Sequence, residues 1–292
     1  MSFSDLRAWL RRAAAIAFVF AAAGCGNDDP TGYGGTGRVE FTTSGGIFVE
    51  REIPPSDADE PGFSDGWSVA YTKFLVNFDD LQLLSPNDGY LGTAPRLLDL
   101  KIQGKKLIKA FDVVAKGYSD VNYAILPVTA ESELAEGVAE EDKQSMLDAG
   151  YALWVEGVAG KADRIKLFSW GFALNTLYQR CHAEGAASDI GLAVPNDTSV
   201  EAELTIHGDR LFYDRLEPGS AVMTTLRFDA IAEADADDDG LVTLEELDAS
   251  PLDLNRYAVE ALEAATLGDF VRELARGLGH FNGNGECTVI AR

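Results

Sequence analysis

The stretch Trp67-Ser-Val-Ala-Tyr-Thr-Lys-Phe-Leu-Val-Asn-Phe-Asp-Asp-Leu-Gln-Leu-Leu84 decides the fold class of this chain. Val69 and Tyr71 recur at a spacing of two, as do Phe74, Val76 and Phe78, and one slip in phase separates the two groups. A period of two marks a strand with one buried face, and a slip within it predicts a bulge or bend. Working outward, residues 38–43, 47–53, 96–102, 107–114, 121–128, 152–158, 164–177 and 198–213 carry the β-branched and aromatic residues of further strands. Turn signals separate them: Pro86-Asn-Asp-Gly89, Gly117 and Gly160-Lys-Ala-Asp163. Gly45-Gly46 predicts a hairpin that joins the first two strands.

Helical signals gather late in the chain. Residues 139–149 run from acidic to apolar and predict a short surface helix. Tyr257, Ala258, Ala261, Leu262 and Ala265 have helical spacing. Thr266 with Asp269 reads as a capping box, opening a helix whose apolar face is Phe270, Val271, Leu274 and Leu278. Strands early and helices late indicate an α+β or β-rich layout and argue against alternating βαβ units. The expectation is an antiparallel β-sandwich over residues 38–215, with residues 216–292 packed on it as a C-terminal helical cap.

Within that cap lies Asp235-Ala-Asp-Asp-Asp-Gly-Leu-Val-Thr-Leu-Glu-Glu246, which resembles the twelve-residue calcium loop of the EF-hand family. Asp235, Asp237 and Asp239 place hard carboxylate oxygens at positions one, three and five, and Gly240 at position six permits the sharp turn. The resemblance assigns the backbone carbonyl of Leu241, Thr243 through water, and both oxygens of Glu246 to the same Ca2+ ion. An acidic solvated turn is the alternative, but it has no reason to keep this spacing. Phe228, Ile231 and Ala234 before the loop, and Val242 and Leu247 after it, fit flanking helices, and Pro251 ends the second one early. No second loop of this spacing occurs, which favours a structural site over a paired sensor.

The N-terminus reads as an export signal. Arg7, Arg11 and Arg12 precede an apolar run, residues 13–23, that is too short to span a bilayer. Ala22-Ala-Gly-Cys25 resembles a bacterial lipobox, which implies removal of residues 1–24, lipid on Cys25 and anchorage in the cell envelope; an ordinary signal peptide cut near Ala23 is the alternative. Gly26 follows the cysteine where aspartate would favour inner-membrane retention, so the outer membrane is expected. Residues 25–37 have the composition of a flexible tether.

With Cys25 set aside, Cys181 and Cys287 remain as one candidate disulfide in an oxidising compartment, or as two free thiols. The formal net charge of −24 becomes two units more negative once the three signal arginines and one aspartate are lost. Such a surface repels nucleic acid. The expected partners are the membrane, through the lipid, and an envelope protein or polysaccharide.

The fragments Gly37-Arg-Val-Glu-Phe-Thr-Thr43, Asp65-Gly-Trp-Ser-Val-Ala-Tyr-Thr-Lys-Phe74, Leu97-Leu-Asp-Leu100 and Ala115-Lys-Gly-Tyr-Ser-Asp-Val-Asn-Tyr-Ala124 resemble bacterial lipoproteins of the DUF4382 type. The resemblance covers residues 37–128. It implies an Ig-like or prealbumin-like sandwich of a family with no established enzymatic activity.

No catalytic motif is found, and a non-enzymatic protein is expected. The segment Ile206-His-Gly-Asp-Arg-Leu-Phe-Tyr-Asp214 gathers the most reactive side chains. His182, His207, Asp209 and His280 are therefore candidates for a transition-metal site, with metal handling as the alternative function. Trp67, Trp154 and Trp170 are weighed as a sugar-stacking platform, against the commoner reading of aromatics at strand spacing as core.

Overall fold

The computed structural model describes residues 34–57, 62–86, 88–92, 95–185, 191–216, 224–258 and 264–291. Expectations for residues 1–33, the signal segment, Cys25 and most of the tether among them, lie outside the described residues.

The strand Ser68–Ser85 is the spine of the molecule. Its side chains in the large buried cluster fall in three phases: Val69 and Tyr71, then Phe74, Val76 and Phe78, then Leu81 and Leu83. Each change of phase coincides with a break in register. Pairing with Leu153–Lys161 shifts between Tyr71 and Lys73, and pairing with Asp120–Ile125 shifts between Asp79 and Gln82. An extra residue at each break returns the apolar side chains to the same face. The second break passes through Asp80 at φ 49°, a left-handed conformation that aspartate tolerates better than most residues. The alternation read from the sequence stops at Phe78 and so foresees only the first.

The protein is mainly β. The largest sheet runs, edge to edge, through Leu241–Thr243, Arg164–Phe172, Leu153–Lys161, Ser68–Ser85, Asp120–Ile125, Thr176–Cys181 and Thr288–Ala291, with short strands at Asp88–Gly92, Arg96–Asp99 and Glu133–Leu134 attached to one side. A second sheet holds Gly279–Phe281, Ser199–Ile206, Thr36–Ser44 and Lys106–Val114 in that order. A two-stranded ribbon joins Lys116–Tyr118 to Leu192–Val194. Residues beyond 216 supply both ends of the large sheet and one edge of the second.

Three strand expectations change. The hairpin over residues 38–53 does not form: Gly46–Glu50 is a short helix, and Thr36–Ser44 pairs in parallel with Ser199–Ile206 and antiparallel with Lys106–Val114. Strand propensity in residues 47–53 yields to tertiary packing, because the helical turn buries Val49 and leaves only Ile53 bridged to Val69. Residues 198–213 do not stay extended. The strand ends at Ile206, and Gly208–Phe212 forms a 3-10 turn, so that Gly208 sits where a Cβ would lie 2.5 Å from Val49. Residues 164–177 likewise divide between Arg164–Phe172 and Thr176–Cys181.

One large buried cluster joins residues of the two main sheets, with Phe41, Ala202 and Leu204 from one and Val76, Phe78 and Tyr178 from the other. The opposite face of the large sheet has its own small cluster of Leu75, Leu97, Val128 and Met146. Met146 comes from the helix Glu140–Ala149, which Gly150 closes in the left-handed conformation expected of a C-terminal glycine. The Thr266–Asp269 capping box forms as expected and opens Leu267–Arg276, with Phe270, Val271, Leu274 and Leu278 buried. Residues 259–263 of the preceding predicted helix lie outside the described residues. Among the described residues, no helix is long and apolar enough to cross a membrane.

Candidate functional site

The acidic loop sits between two short helices, Asp229–Glu233 and Leu244–Ala249, and its second half is a strand of the large sheet. Leu241, Val242 and Thr243 pair in parallel with Leu167, Phe168 and Ser169. Leu167 N donates to Gly240 O at 2.7 Å, and Trp170 Nε1 donates to Val242 O at 3.0 Å. The sheet edge thus fixes the loop's backbone. Asp238 at φ 57° and Gly240 at φ 87° make the turn, so the glycine stands where a side chain would be strained.

Carboxylate oxygens of Asp235, Asp237 and Asp239 lie within 4.8 Å of one another. Two of these residues support the turn as well: Asp237 Oδ1 accepts from Asp239 N at 3.2 Å, and Asp239 Oδ1 from Leu241 N at 2.7 Å. The Asp235 side chain is fully buried. Its Oδ2 accepts from Gly240 N at 3.0 Å and from the Lys166 ammonium, while its Oδ1 has no hydrogen-bond partner. Lys166 holds the Asp235 carboxyl below the usual carboxylate range, and that carboxylate in turn raises the lysine. A buried, unpartnered carboxylate oxygen is unfavourable unless a cation or a donor satisfies it.

Glu246 stands apart from this trio. Its Oε1 accepts from Ala236 N at 3.1 Å, and its Oε2 from Thr243 N at 2.8 Å and Thr243 Oγ1 at 3.0 Å, which completes the capping box of Leu244–Ala249. The structure therefore gathers positions one, three and five, and keeps position twelve on the loop's own backbone.

A second polar cluster lies where the smaller sheet meets the 3-10 turn. The His207 and His280 rings are in edge contact, with centroids 4.7 Å apart, and His207 Nδ1 is 4.0 Å from Asp209 Oδ1. His182 is not drawn in; its Nδ1 lies 3.1 Å from Glu286 O, beside the Cys181–Cys287 disulfide. Burial, with Arg210 and His207 adding to it, pushes His280 down to about 3, so its imidazole is neutral. Tyr213 donates to Asp209 Oδ2 at 2.9 Å, and burial with that carboxylate keeps the phenol protonated.

The tryptophans make no platform. Trp67 and Trp170 are fully buried, and Trp154 stacks beneath the Lys73 ammonium at 4.1 Å. Lys166 is the site neighbour that sequence spacing did not single out. Lys166 reaches Asp235 only through the parallel pairing, whereas Tyr213, within the segment 206–214 already singled out, reaches Asp209 across the 3-10 turn.

No protein-family model, no characterised protein and no solved structure matches this chain.

Proposed function

We propose that this chain is a non-enzymatic calcium-binding lipoprotein of the bacterial cell envelope, in which Ca2+ held by residues 235–246 braces the C-terminal segment against a β-sandwich. The buried, unpartnered Asp235 Oδ1, set among the Asp237 and Asp239 carboxylates, carries this reading. All the donors are hard oxygens, the set calcium prefers, and a tight turn at Gly240 leaves room for an ion. The β-sandwich rests on the core shared by the two main sheets. The EF-hand assignment rests on the loop's spacing and its two flanking helices.

In this reading the sheet edge takes the place of a second calcium loop. Ordering the loop orders Leu241–Thr243, and that strand is one end of the large sheet. Calcium is then a clamp whose loss loosens an edge. Lipid on Cys25 would tether the domain, and the supported surface would meet an envelope protein or polysaccharide.

Calcium at a hundredfold excess over its dissociation constant is expected to stabilise the fold by about 2.7 kcal/mol, read as a rise in melting temperature that EDTA reverses. Asp235→Ala and Glu246→Gln should each abolish the calorimetric binding signal. Intact binding in both variants would sink the assignment.

Lys166 supplies a second prediction. Its ammonium occupies Asp235 Oδ2 and adds a positive charge beside the proposed ion. Lys166→Met keeps the apolar stem, removes the charge, and is expected to tighten calcium binding on the order of tenfold, equivalent to ~1.4 kcal/mol. Calorimetry that finds equal or weaker binding would show that the lysine does not compete.

A further inference from the structure

His207 lies just beyond the end of Ser199–Ile206, and His280 is the central residue of Gly279–Phe281, which pairs antiparallel with it through Thr205 and His280. Each imidazole has one nitrogen against a backbone carbonyl: His207 Nε2 lies 3.2 Å from Gly283 O, and His280 Nδ1 lies 3.2 Å from Gly285 O. A nitrogen facing a carbonyl must carry the hydrogen, since two lone pairs there would repel. In the neutral rings, His207 Nδ1 and His280 Nε2 are therefore bare acceptors.

His280 Nε2 is buried without a hydrogen-bond partner, and so is Asp209 Oδ1, the atom 4.0 Å from His207 Nδ1. The Asp209 side chain is only 7% exposed. Its other oxygen is already taken by Tyr213. A buried imidazole lone pair and a buried carboxylate oxygen thus have nothing to receive them, although buried acceptors are almost always satisfied, and the His207 imidazole lies beside both, in edge contact with the His280 ring and 4.0 Å from Asp209 Oδ1.

We propose that His207 Nδ1, His280 Nε2 and Asp209 Oδ1 bind a divalent transition-metal ion of the copper or zinc class. Imidazole nitrogens select such ions over calcium, and two histidines with one carboxylate leave coordination positions for water or a ligand. The surroundings have the form of an outer shell: ligating histidines usually give their other N–H to a carbonyl, as both do here, and the carboxylate is held from behind by Tyr213. Both carbonyls come from the turn Asn282–Glu286, which Cys287 ties to Cys181. Among the described residues, only the loop carboxylates gather three such atoms within 4.8 Å. An ion must therefore draw His280 and the His207–Asp209 pair inward. The Arg210 guanidinium nearby, which donates to Gly277 O at 3.0 Å, opposes the ion and weakens its binding.

The test is titration of the full chain with Cu2+ and with Zn2+ in saturating calcium, followed by calorimetry and, for copper, by electron paramagnetic resonance. One equivalent should bind, with the copper spectrum split by two imidazole nitrogens. His207→Gln and His280→Gln should each weaken binding about a hundredfold and Asp209→Asn about tenfold, while His182→Gln leaves it unchanged. As a check against misfolding, zinc should raise the melting temperature of the wild type and not of the two histidine variants. Asp235→Ala should lose calcium and keep copper, which separates this site from the loop. The proposal is overturned by absence of saturable binding, as when a buried water satisfies the three acceptors, or by binding that survives both histidine substitutions or depends on His182.

Discussion

Replacing Cys181 and Cys287 together by alanine is expected to lower the unfolding free energy by about 4–5 kcal/mol, because the bridge closes a loop of 106 residues and constrains the unfolded chain accordingly. For a chain of this size that corresponds to a fall in melting temperature on the order of 10 °C. Urea unfolding of the oxidised protein and the double variant reads the difference directly. Local structure makes the expectation sharper. The bridge leads straight into Thr288–Ala291, which pairs with Thr176–Cys181 although all four of its residues are exposed. Little apolar burial holds that strand in place, so the covalent link is its main anchor. The same link positions the turn whose Gly283 and Gly285 carbonyls meet His207 and His280. Amide exchange in the double variant should rise first in residues 283–291, ahead of global unfolding. A loss below about 1 kcal/mol with unchanged exchange would mean that the strand is held without the bridge.

What the sequence discloses follows from how local each signal is. The slip between Tyr71 and Phe74 is legible because alternation is a property of neighbouring residues, and the register break between Tyr71 and Lys73 matches it. The second slip, at Asp79 and Asp80, hides behind two consecutive aspartates where no apolar phase can be counted. The Asp235, Asp237, Asp239 and Gly240 spacing is equally local, and the three carboxylates do gather. Lys166 is not legible, because it arrives through a strand pairing that joins residues more than seventy positions apart. Nor is the parallel pairing of Thr36–Ser44 with Ser199–Ile206. Its partners are distant in sequence, and the side chains that join across it, Thr42 to Glu201 and Ser44 to Glu203, are ordinary polar residues. The Cys181–Cys287 pairing was readable by elimination; the meeting of His207 with His280 depended on a three-residue strand with no pattern of its own.

Phe212→Ala is expected to destabilise the protein by about 3–5 kcal/mol, the range for removing a buried aromatic side chain. Phe212 is 1% exposed, and its ring meets those of Phe63, Tyr71, Phe168, Trp170 and Phe228 at centroid distances of 5.2 to 6.1 Å. Two of these partners flank the acidic loop. Phe168 is paired with Val242, and Phe228 immediately precedes the helix Asp229–Glu233. A cavity at Phe212 therefore loosens the supports of the loop on both sides, and under the proposed function calcium must then order what the aromatic cluster had already ordered. That cost appears as weaker calcium binding, on the order of tenfold if it reaches ~1.4 kcal/mol. Phe41→Ala is the control. Phe41 is buried on the smaller sheet against Phe111, with centroids 5.7 Å apart, so its removal should destabilise comparably without reaching the loop. If calcium acts as a brace coupled to this part of the core, calorimetry will show affinity falling in Phe212→Ala and holding in Phe41→Ala. Equal affinities in the two variants would leave the loop energetically separate from the aromatic core, and the brace would have to act through the sheet edge at Leu241–Thr243 alone.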